Sequence, residues 1–599
     1  RPVAVGGLSV LHVPMYHPAA ALHNPSLWHV LVKDFIRLQE EMQPAAVAVQ
    51  PVYTLGTPMD ALVASARSGL LGFDLETTSP QRDGVFVTQE AGPVGFSISW
   101  ADNESMYVPY NPASITDVLE SPLWEKVCHN AKFEYGVLAR QGTRLDNYHD
   151  TKLAAWLLQY PSTHLKVLAR QLLRRDPITY DEVTQGRDMA DIPPEEVVNY
   201  AAADADNTRL LWQKLLPELH KQGLYDLYEQ VELPLVPVLV GMETAGIGVD
   251  EAATRQVQAE LDAAIEEAGS RAARLLPGVR ITSTEQLAKA LEAMGAPIKD
   301  RTEAKHLLKT DIEHLAAIHD WHPTLVDAVL DYRTFCKLAT YAKGFLSKRG
   351  QDGRLHPDFV QAGYGEEWSD KSSYAPVTGR LSCREPNLQN IPHYGRARDL
   401  TEWGDRLRRC LIPQTGWVLV AGDISQEEPR ITAFVAKDPA MQASFGTGTS
   451  VYAPIGEAIY GYPIGKATHP KEWHLAKTFF LSWVYGAHWS KMLELDPAMS
   501  KATAQRGVAR LATRYRQIDA FRREVETELR AAGYVQDWFG RRRWLPKIYG
   551  NRQDQAEAIR EAVNMHIQGP AATVIKMAMI RLVDRALAAC ATSPHSCCA

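Results

Sequence analysis

Residues 72–78 read GFDLETT and place two carboxylates, Asp74 and Glu76, two positions apart at the end of an apolar run. Successive side chains of a β-strand point to opposite faces, so residues at i and i+2 share one face. A divalent metal bound through oxygen requires carboxylates that converge in this way. An acidic pair at the end of a strand is also typical of a solvated turn. These seven residues alone therefore leave both interpretations open.

Two further segments favour the metal site. In CHNAKFEYGVL (128–138), Glu134 lies near the start of an apolar helix. In YAAADADNTRLL (200–211), Tyr200 lies one helical turn before Asp204, so both side chains are on one helix face. The sequence therefore predicts a site in which four carboxylates converge with a phenol: Asp74, Glu76, Glu134, Asp204 and Tyr200.

Such a set can hold two Mg²⁺ ions that activate a water and stabilise a leaving 3′ oxygen, while the phenol orients the water. FDLET, NAKFE and YAAAD, in this order, resemble the three exonuclease motifs of proofreading DNA polymerases and their RNase D relatives, over residues 55 to 215. The family's second motif ends in aspartate. This chain has Glu134 there, and its extra methylene moves the carboxylate by about an ångström, so we expect reduced exonuclease activity. We interpret Asp150, Thr151 and the helix LKVLARQLL (165–173) as packing and surface positions.

A second acidic position lies in GWVLVAGDISQEEPRITAF (416–434). The apolar residues Trp417–Ala421 predict a buried strand that ends at Asp423, where a helix begins. A carboxylate leaving a buried strand is a suitable metal ligand, and the alternative interpretation is a helix N-cap. The new helix carries three polar side chains of interest: Gln426, Glu428 and Arg430.

Residues 378–392, TGRLSCREPNLQNIP, combine an arginine with amide side chains that can contact minor-groove acceptors without distinguishing the bases. This segment resembles a signature of family A DNA polymerases, and the resemblance places Arg380, Asn387 and Gln389 in DNA-contacting positions. A DNA polymerase needs such a grip on DNA of any sequence.

DISQEEPR resembles motif A of the same family. The resemblance implies that Asp423 carries both catalytic metals and that Glu428 excludes the ribose 2′-OH. It also implies that Gln426 lies at the nucleotide and Arg430 at DNA. We therefore expect deoxyribonucleotides, rather than ribonucleotides, as the building blocks.

KEWHLAKTFFLSWVYG (471–486) resembles motif B, the fingers helix, and places Lys477, Leu481 and Tyr485 along one helical face. The resemblance implies that Lys477 binds the triphosphate. Leu481 and Tyr485 taken alone are also typical of core packing. The family often has arginine where Trp473 stands and an aromatic where Leu481 stands, so we expect His474 or Lys471 to supply a triphosphate contact.

GYVQDWFGRRRWLP (533–546) and the helix that starts near Arg560 resemble the return from fingers to palm, and the polymerase resemblance spans about residues 225 to 588. Arg560, Asn564 and Gln568 recur at helical spacing and are expected to face primer-template. Arg541–Arg543 are interpreted as phosphate contacts or a solvated loop.

The last residues depart from the family. A family A palm continues, after the helix ending near Leu587, into a hairpin that carries His-Asp-Glu, whose aspartate completes the two-metal site. This chain reads CATSPHSCCA there (590–599). We therefore expect a defective polymerase, and a Trp417–Ala421 strand that lacks a partner on one edge.

The first residues resemble another protein. VLHVPMYHPAAALHNPSLWHVLVKDFIRL (10–38) is similar to the C-terminal piece of a uracil-DNA glycosylase, with His17 and Pro18 in its His-Pro motif. A plain helical leader is the alternative. The earlier water-activating motif of the glycosylase is absent, so we expect no base excision.

Bulk composition agrees with a multidomain enzyme. The chain has 599 residues with 45% hydrophobic side chains, and its formal net charge of −7 leaves nucleic-acid binding to local basic patches. No apolar run approaches the roughly 18 residues that cross a bilayer. The cysteines lack the spacing of a disulfide framework or zinc site, which favours a reducing cytoplasm. The family resemblance implies that this is the cytoplasm of a bacterial or phage-infected cell.

These resemblances imply an α/β multidomain chain, with an RNase H-like 3′-5′ exonuclease domain followed by a right-hand polymerase whose palm is incomplete. We expect a DNA-directed DNA polymerase with proofreading, acting as a monomer on primer-template DNA and dNTPs with two Mg²⁺ ions per active site, for which Mn²⁺ can substitute. The alternatives are a non-catalytic primer-template-binding remnant and an exonuclease alone. The expected boundaries are 1–50 for the glycosylase-like remnant, 55–220 for the exonuclease, 225–348 for the thumb and palm entry, 349–435 for the palm with motif A, 436–550 for the fingers, and 551–599 for the returning palm helix.

Overall fold

The computed structural model describes residues 2–5, 8–11, 51–82, 85–86, 88–302, 306–363, 375–392, 401–446, 450–496 and 498–592. The chain forms two compact units: the first comprises residues 1–240, 361–381 and 423–599, and the second comprises 241–360 and 382–422. His17 and Pro18, which carry the glycosylase resemblance, lie outside the described residues. Among the helices described, none is both long enough and apolar enough to cross a membrane.

The strands are short and fall mainly in the first 150 residues. They are β1 (Pro2–Val5), β2 (Leu8–Leu11), β3 (Val52–Leu55), β4 (Leu70–Thr77), β5 (Gln81–Arg82), β6 (Val85–Phe86), β7 (Pro93–Ala101), β8 (Glu104–Pro109), β9 (Glu125–Cys128), β10 (Tyr148–Asp150), β11 (Ile247–Val249), β12 (Arg354–Leu355), β13 (Asp358–Val360), β14 (Ser382–Arg384), β15 (Leu411–Ile412), β16 (Tyr534–Gln536) and β17 (Arg542–Trp544).

Helices make up most of the remainder. They are α1 (Pro58–Ser65), α2 (Pro112–Leu119), α3 (Ala131–Arg140), α4 (Thr151–Leu157), α5 (Leu165–Leu168), α6 (Tyr180–Thr184), α7 (Pro194–Lys221), α8 (Tyr225–Leu227), α9 (Leu233–Ala245), α10 (Glu251–Leu275), α11 (Thr284–Ala293), α12 (Ile312–Ala317), α13 (Pro323–Ser347), α14 (Thr401–Arg409), α15 (Glu427–Val435), α16 (Pro439–Gly446), α17 (Tyr452–Tyr460), α18 (Pro470–Val484), α19 (Ser490–Leu495), α20 (Lys501–Arg514), α21 (Arg516–Ala532) and α22 (Arg552–Thr592).

The first unit contains a six-stranded mixed sheet in the order β10-β9-β4-β7-β8-β3. Strand β4 is central and pairs antiparallel with β7 and parallel with β9, with Asp74 opposite Ser97 and Gly72 opposite Val127. Phe73 and Leu75 of β4 are buried in the core on one face of this sheet. Because side chains alternate along a strand, Asp74 and Glu76 point to the opposite face.

Helix α7 crosses that opposite face at very short range. A Cβ atom added at Gly72 would lie 2.1 Å from the carbonyl oxygen of Ala205, closer than any real contact. Glycine is therefore required at this point of β4, because it alone lets the helix backbone approach so closely. The close approach brings the middle of α7, including Asp204, down onto the acidic end of β4.

The remainder of the first unit is helical. Its core is formed by α15 to α22 and buries large side chains such as Phe480, Trp483 and Tyr515. The long helix α22 supplies Ala562, Met565 and other residues to this core. The α/β multidomain fold class predicted from the sequence is confirmed.

The second unit is built on a pair of long helices, α10 and α13. A core that includes Leu261, Leu338 and Phe345 lies along them, together with residues of the three-stranded sheet β12-β11-β15. A separate core gathers α11, α12 and the start of α13 around Leu287 and Leu325. Strands β13 and β14 form a further antiparallel pair.

The predicted buried strand at Trp417–Ala421 is wrong. These residues form neither helix nor strand, and the side chains from Trp417 to Val420 are between 58% and 90% exposed. The preceding strand β15 ends at Ile412. In the described part of the chain, no strand pairs with 417–421, and the Trp417 N–H instead donates to the Gln414 carbonyl at 2.9 Å. An apolar run alone does not make a strand.

A buried charge cluster joins the N-terminal and C-terminal parts of the first unit. Glu232 is fully buried, accepts hydrogen bonds from Lys576 at 2.8 and 2.9 Å and from Gln361 at 2.8 Å, and forms an ion pair with Arg541. The two cations also lie over the Trp156 ring, 5.4 and 4.8 Å from its centre. Burial raises the pKa of Glu232, but Lys576 and Arg541 outweigh it and lower that pKa to about 2.

The same cluster corrects the interpretation of Arg541–Arg543 as phosphate contacts or a solvated loop. Arg541 is 3% exposed and pairs with Glu232. Arg542 donates to the Gln222 carbonyl at 2.9 Å, and Arg543 pairs with Glu561 at 2.6 Å. All three guanidinium groups are therefore engaged within the protein.

We expect Glu232→Gln to lower the free energy of unfolding by about 3–5 kcal/mol, because it leaves two buried cations without their carboxylate. Urea denaturation at neutral pH measures the change. Glu218→Gln is the matched control: it removes a surface ion pair with Lys221 and should change stability by no more than about 1 kcal/mol. Equal effects of the two substitutions would contradict the structural role of the buried cluster.

Candidate functional site

Three acidic side chains meet on the face of the six-stranded sheet that helix α7 crosses. Asp74, Glu76 and Asp204 each offer an oxygen, and these oxygens lie within 4.8 Å of one another. Glu76 is 6% and Asp204 is 4% exposed. Two of the three come from alternate positions of β4, and the third comes from α7 at the point where Gly72 admits the helix.

Without a bound metal ion, the three carboxylates are held in unfavourable electrostatic surroundings. Burial, followed by the charge of Asp204, raises the pKa of Asp74 to about 7, and burial also raises the pKa of Glu76 and of Asp204. Lys166 opposes all three shifts, because its ammonium forms an ion pair with Asp204 and attracts the other two carboxylates. Buried like charges at this range bind protons or a metal.

The residues present fit a divalent metal. The three candidate ligands are all carboxylates, and hard cations such as Mg²⁺ and Mn²⁺ prefer oxygen ligands, whereas zinc usually binds nitrogen or sulfur. Burial raises the pKa of all three carboxyl groups, which is the direction expected where positive charge is in short supply. A bound metal would polarise a phosphodiester and lower the pKa of a water bound beside it.

Glu134 lies outside this group of three. It is 3% exposed on α3, and its Oε2 atom has no hydrogen-bond partner. Burial raises the pKa of Glu134, and so do the charges of Asp74 and then Asp150. Of the four predicted carboxylates, three therefore converge, while Glu134 is a separate buried acid with one unpaired oxygen.

Tyr200 and the neighbouring Asp150 are also buried. Tyr200 is 7% exposed one turn before Asp204 on α7, and the Lys166 ammonium lies 4.1 Å from the centre of its ring. Asp150 is the N-cap of α4 and also accepts from the backbone N–H groups of Asn130 and Ala131 at 3.1 and 2.9 Å. Asp150 and the buried Thr151 are thus packing positions and not surface positions.

Two cavities adjoin the cluster. One of about 660 Å³ is lined by Glu76, Phe133, Tyr180 and other residues, and the Tyr180 hydroxyl lies 2.6 Å from Ser79 Oγ. The other, of about 280 Å³, is lined by Lys166 and by Asp204 together with a set of polar side chains. The sequence interpretation passed over Phe133, Tyr180 and Lys166, because an aromatic or a lysine beside an apolar helix is usually packing or surface.

Four of the predicted polymerase residues form one hydrogen-bonded network in the first unit. Glu428 accepts from Arg380 at 2.7 Å and from the Tyr485 hydroxyl at 3.0 Å. Gln568 donates in turn to the Tyr485 oxygen. Burial, then the charge of Glu428, raises the pKa of Tyr485 well above its ordinary value, so the phenol is a donor at neutral pH. Glu428 of motif A therefore joins Arg380 to Tyr485 of motif B, and Gln568 of α22 adjoins Tyr485.

Asp423 takes no part in the hydrogen bonds described for Glu428. It is exposed, and it belongs to the irregular segment that replaces the predicted strand. Glu427, the next acid along the chain, has a raised pKa because of burial, with Arg380 opposing and Glu428 and Asp423 adding to the shift. In the parts of the chain that the structure describes, Asp423 belongs to no cluster of three or more metal-ligating side chains.

The remaining predicted residues occupy varied surroundings. Gln426 accepts from the backbone N–H of Val451 at 2.8 Å, and Arg430 donates to the Ser425 carbonyl at 2.8 Å. Lys477 is exposed on α18, 5.7 Å from the Tyr452 ring centre. Exposed or half-buried positions are also found for the remaining members of the first unit: His474, Leu481, Arg560 and Asn564.

Asn387 and Gln389 belong to the second unit, in and beside the short helical turn Leu388–Asn390. Gln389 is exposed. Asn387 is half-buried, and its Oδ1 atom has no hydrogen-bond partner. An amide side chain held in this way can accept or donate to a ligand.

A carboxylate cluster on a mixed sheet is thus followed in the chain by a helical module with its own polar network. Residues 251–593 match the model of DNA polymerase family A, and residues 49–220 match the model of a 3′-5′ exonuclease. The chain belongs to DNA polymerase family A and carries a 3′-5′ exonuclease domain.

Individual relatives agree with this assignment. DNA polymerase I of Chloroflexus aurantiacus is 30% identical over 583 residues, which cover 91% of this chain and 58% of that protein. DNA polymerase I of Treponema pallidum is 30% identical over 579 residues, which cover 87% of this chain and 55% of that protein. The chain thus spans less than three fifths of the length of these curated relatives.

A solved structure shows the same fold. The POL domain of Pol1 from M. smegmatis, in complex with DNA primer-template and dNTP, superimposes with a TM-score of 0.76 at 27% sequence identity. The match covers 91% of this chain and 90% of that chain.

The raised pKa of Asp74 predicts the direction in which the stability of the protein changes with pH. Between about pH 4 and pH 7 the native, metal-free protein keeps a proton that the unfolded chain has lost, so its stability falls as the pH rises through this range. Asp74→Asn removes the buried charge. We expect this substitution, measured in a chelator, to raise the thermal midpoint by at least about 2 °C at pH 8 and to leave it nearly unchanged at pH 4.5.

Asp226→Asn, at an exposed carboxylate on α8, is the control and should show no such difference between the two pH values. The account of the cluster is wrong if Asp74→Asn, measured in chelator at pH 8, leaves the thermal midpoint unchanged or lowers it.

Proposed function

We propose that this chain hydrolyses nucleotides from the 3′ end of DNA at Asp74, Glu76 and Asp204, and that it binds primer-template DNA and dNTPs through its family A module, in DNA replication or repair. The observation that carries the proposal is the buried cluster whose carboxylate oxygens lie within 4.8 Å of one another. Such a cluster is a poor structural element without a cation, and phosphodiester hydrolysis is the chemistry that it serves in this family.

In the exonuclease site the three carboxylates would hold Mg²⁺, two ions by analogy with the family, and the metal would activate the attacking water and stabilise the leaving 3′ oxygen. The chain's own groups position the rest. Tyr200, one turn before Asp204, orients the water through its phenol, whose raised pKa keeps it protonated. Phe133 and Tyr180 line the 660 Å³ cavity, where aromatic rings can stack on the terminal bases regardless of sequence.

Glu134 limits this activity. The longer glutamate replaces the aspartate of the family motif, and its carboxyl group lies outside the cluster of three with an unpaired oxygen. Misplacing a ligand by about 1 Å lowers activity strongly. Exonuclease activity is therefore weaker than that of a chain with aspartate at this position.

In the polymerase module, Arg380, Asn387, Gln389, Arg430, Arg560, Asn564 and Gln568 are the proposed DNA contacts, and Gln426, His474, Lys477 and Leu481 are the proposed nucleotide contacts. Glu428 excludes the ribose 2′-OH. Its carboxylate is held from two sides, by Arg380 and Tyr485, so it cannot swing away to admit a larger sugar. The two hydrogen bonds thus support selection of deoxyribonucleotides.

Nucleotidyl transfer itself is proposed to be weak in this chain. A two-metal centre needs at least two well-placed carboxylates. Asp423 lies in an exposed, irregular segment and belongs to no group of ligands among the described residues. This observation favours a second candidate function, a 3′-5′ exonuclease joined to a module that binds primer-template without extending it.

The domain boundaries stay part of the proposal. We assign residues 55–220 to the exonuclease, 225–348 to the thumb and palm entry, 349–435 to the palm with motif A, 436–550 to the fingers and 551–599 to the returning palm helix. The enzyme acts as a cytoplasmic monomer with Mg²⁺, or Mn²⁺ in its place, at each centre. Residues 1–50 are assigned to a glycosylase-like remnant without activity.

We expect the purified chain to shorten a 5′-labelled single-stranded DNA from its 3′ end in Mg²⁺, and to extend a primer with dNTPs at a far lower rate. Asp204→Asn should slow the shortening by about 10³-fold or more, because a lost metal ligand removes several kcal/mol of transition-state stabilisation. Denaturing gel electrophoresis of the labelled strand measures both reactions.

Asp226→Asn, with an exposed carboxylate on α8, is the matched control and should shorten DNA at the wild-type rate. Shortening that survives Asp204→Asn would refute the assignment of the exonuclease site. Efficient primer extension would refute the proposed weakness of the Asp423 centre and the second candidate function.

A further inference from the structure

Lys166 contacts the acidic site, but the exonuclease roles proposed above do not include this residue. It is the second residue of α5, in a segment that the sequence marks as an apolar helix. Its ammonium forms an ion pair with Asp204 and lies 4.1 Å from the centre of the Tyr200 ring. The side chain of Lys166 is 20% exposed, whereas the side chain of Asp204 is 6% exposed. One lysine thus contacts both residues of the third motif.

The charge balance explains why the lysine occupies this position. Three carboxylates at this spacing, of which Glu76 and Asp204 are buried and Asp74 is half-buried, repel one another, and the Lys166 ammonium beside them offsets part of that repulsion. A divalent metal bound by the same carboxylates would take over this role. It would also repel the ammonium, because both are positive and both need Asp204.

The cavity beside Lys166 indicates where the ammonium then acts. This cavity of about 280 Å³ is lined by Lys166, Tyr200 and Asp204, and also by Lys152, His129 and Asn130. Two lysines and an amide at the border of an acidic cluster form a surface suited to a phosphate group that reaches the metal-binding carboxylates.

We propose that Lys166 is an exchangeable cation of the exonuclease site: it neutralises Asp204 until divalent metal binds, and then contacts the phosphate of the 3′-terminal nucleotides in the adjoining cavity. This inference rests on the proposed exonuclease function and adds a substrate-binding residue to it. The ion pair keeps Asp204 and Tyr200 aligned in the empty site. The released ammonium then binds a non-bridging oxygen of the DNA, so the same charge is used in both states.

In the metal-free site and in the site with metal and DNA bound, the same substitution should have opposite effects. Lys166→Met keeps the length and apolar stem of the side chain and removes its charge. In the absence of DNA, titration calorimetry with Mn²⁺ alone at pH 8 should show about tenfold tighter metal binding, because a competing positive charge is gone. At saturating Mn²⁺, kcat/KM for excision from single-stranded DNA should fall by about 10²-fold, because a phosphate contact is gone.

The salt dependence of binding identifies the phosphate contact. In a catalytically blocked Asp74→Asn background, the slope of log affinity for single-stranded DNA against log salt should decrease by about 0.7 when Lys166 becomes Met, which is the value for one phosphate contact. Lys166→Arg keeps the charge and should remain close to wild type in both metal affinity and slope. Lys221→Met, which removes a surface lysine from an ion pair with Glu218 on α7, is the matched control and should change neither quantity.

A purely structural lysine would give a different pattern. Mn²⁺ binding that is unchanged or weaker in Lys166→Met, or an unchanged salt slope, overturns the proposal. If Lys166→Met does not fold, a Lys166→Arg variant with altered metal affinity and salt slope overturns it as well. Failure of the wild-type chain to excise nucleotides would instead refute the exonuclease assignment, while the Mn²⁺ titration would still report on the exchange at Asp204.

Discussion

Repulsion among three carboxylates, two of them buried and Asp74 half-buried, is the constraint on which the N-terminal half of this protein depends. Asp74, Glu76 and Asp204 are brought together where water screens their charges poorly, and a buried unpaired charge costs several kcal/mol. The protein stays folded because Lys166 offsets part of this unfavourable free energy, and bound protons or a metal ion offset the rest. A site that is stabilised by what it binds is well suited to holding a catalytic metal firmly.

The backbone enforces the same arrangement. Gly72 lets α7 approach β4 so closely that Asp204 cannot avoid the two acids of the strand. Elsewhere in the first unit, Glu232 is a buried carboxylate whose charge is compensated by the protein itself. Lys576 and Arg541 pair with it, and Gln361 donates a hydrogen bond to it. The first cluster needs a ligand, and the second holds the chain together without one.

The sequence predicted the short-range features well. The i, i+2 spacing of Asp74 and Glu76 and the one-turn spacing of Tyr200 and Asp204 follow from strand and helix geometry, and the α/β multidomain fold class was confirmed with the family. Lys166, Glu232 and Arg541 were missed or misinterpreted, because a charged residue beside apolar neighbours gives no sign of a distant partner. The Trp417–Ala421 strand was wrong because a strand needs a pairing neighbour, which composition does not encode.

The two centres of the chain therefore differ in how complete they are. Glu428 accepts hydrogen bonds from Arg380 and Tyr485, but Asp423 stands in an exposed segment. The carboxylate cluster of the proposed exonuclease site is compact, with oxygens within 4.8 Å of one another. Anomalous diffraction at the manganese edge from crystals soaked in Mn²⁺ tests this difference most directly. The account predicts a peak among Asp74, Glu76 and Asp204, with the Lys166 ammonium displaced from Asp204. Crystals with no peak there, or with the Lys166–Asp204 pair intact beside a bound ion, would contradict it.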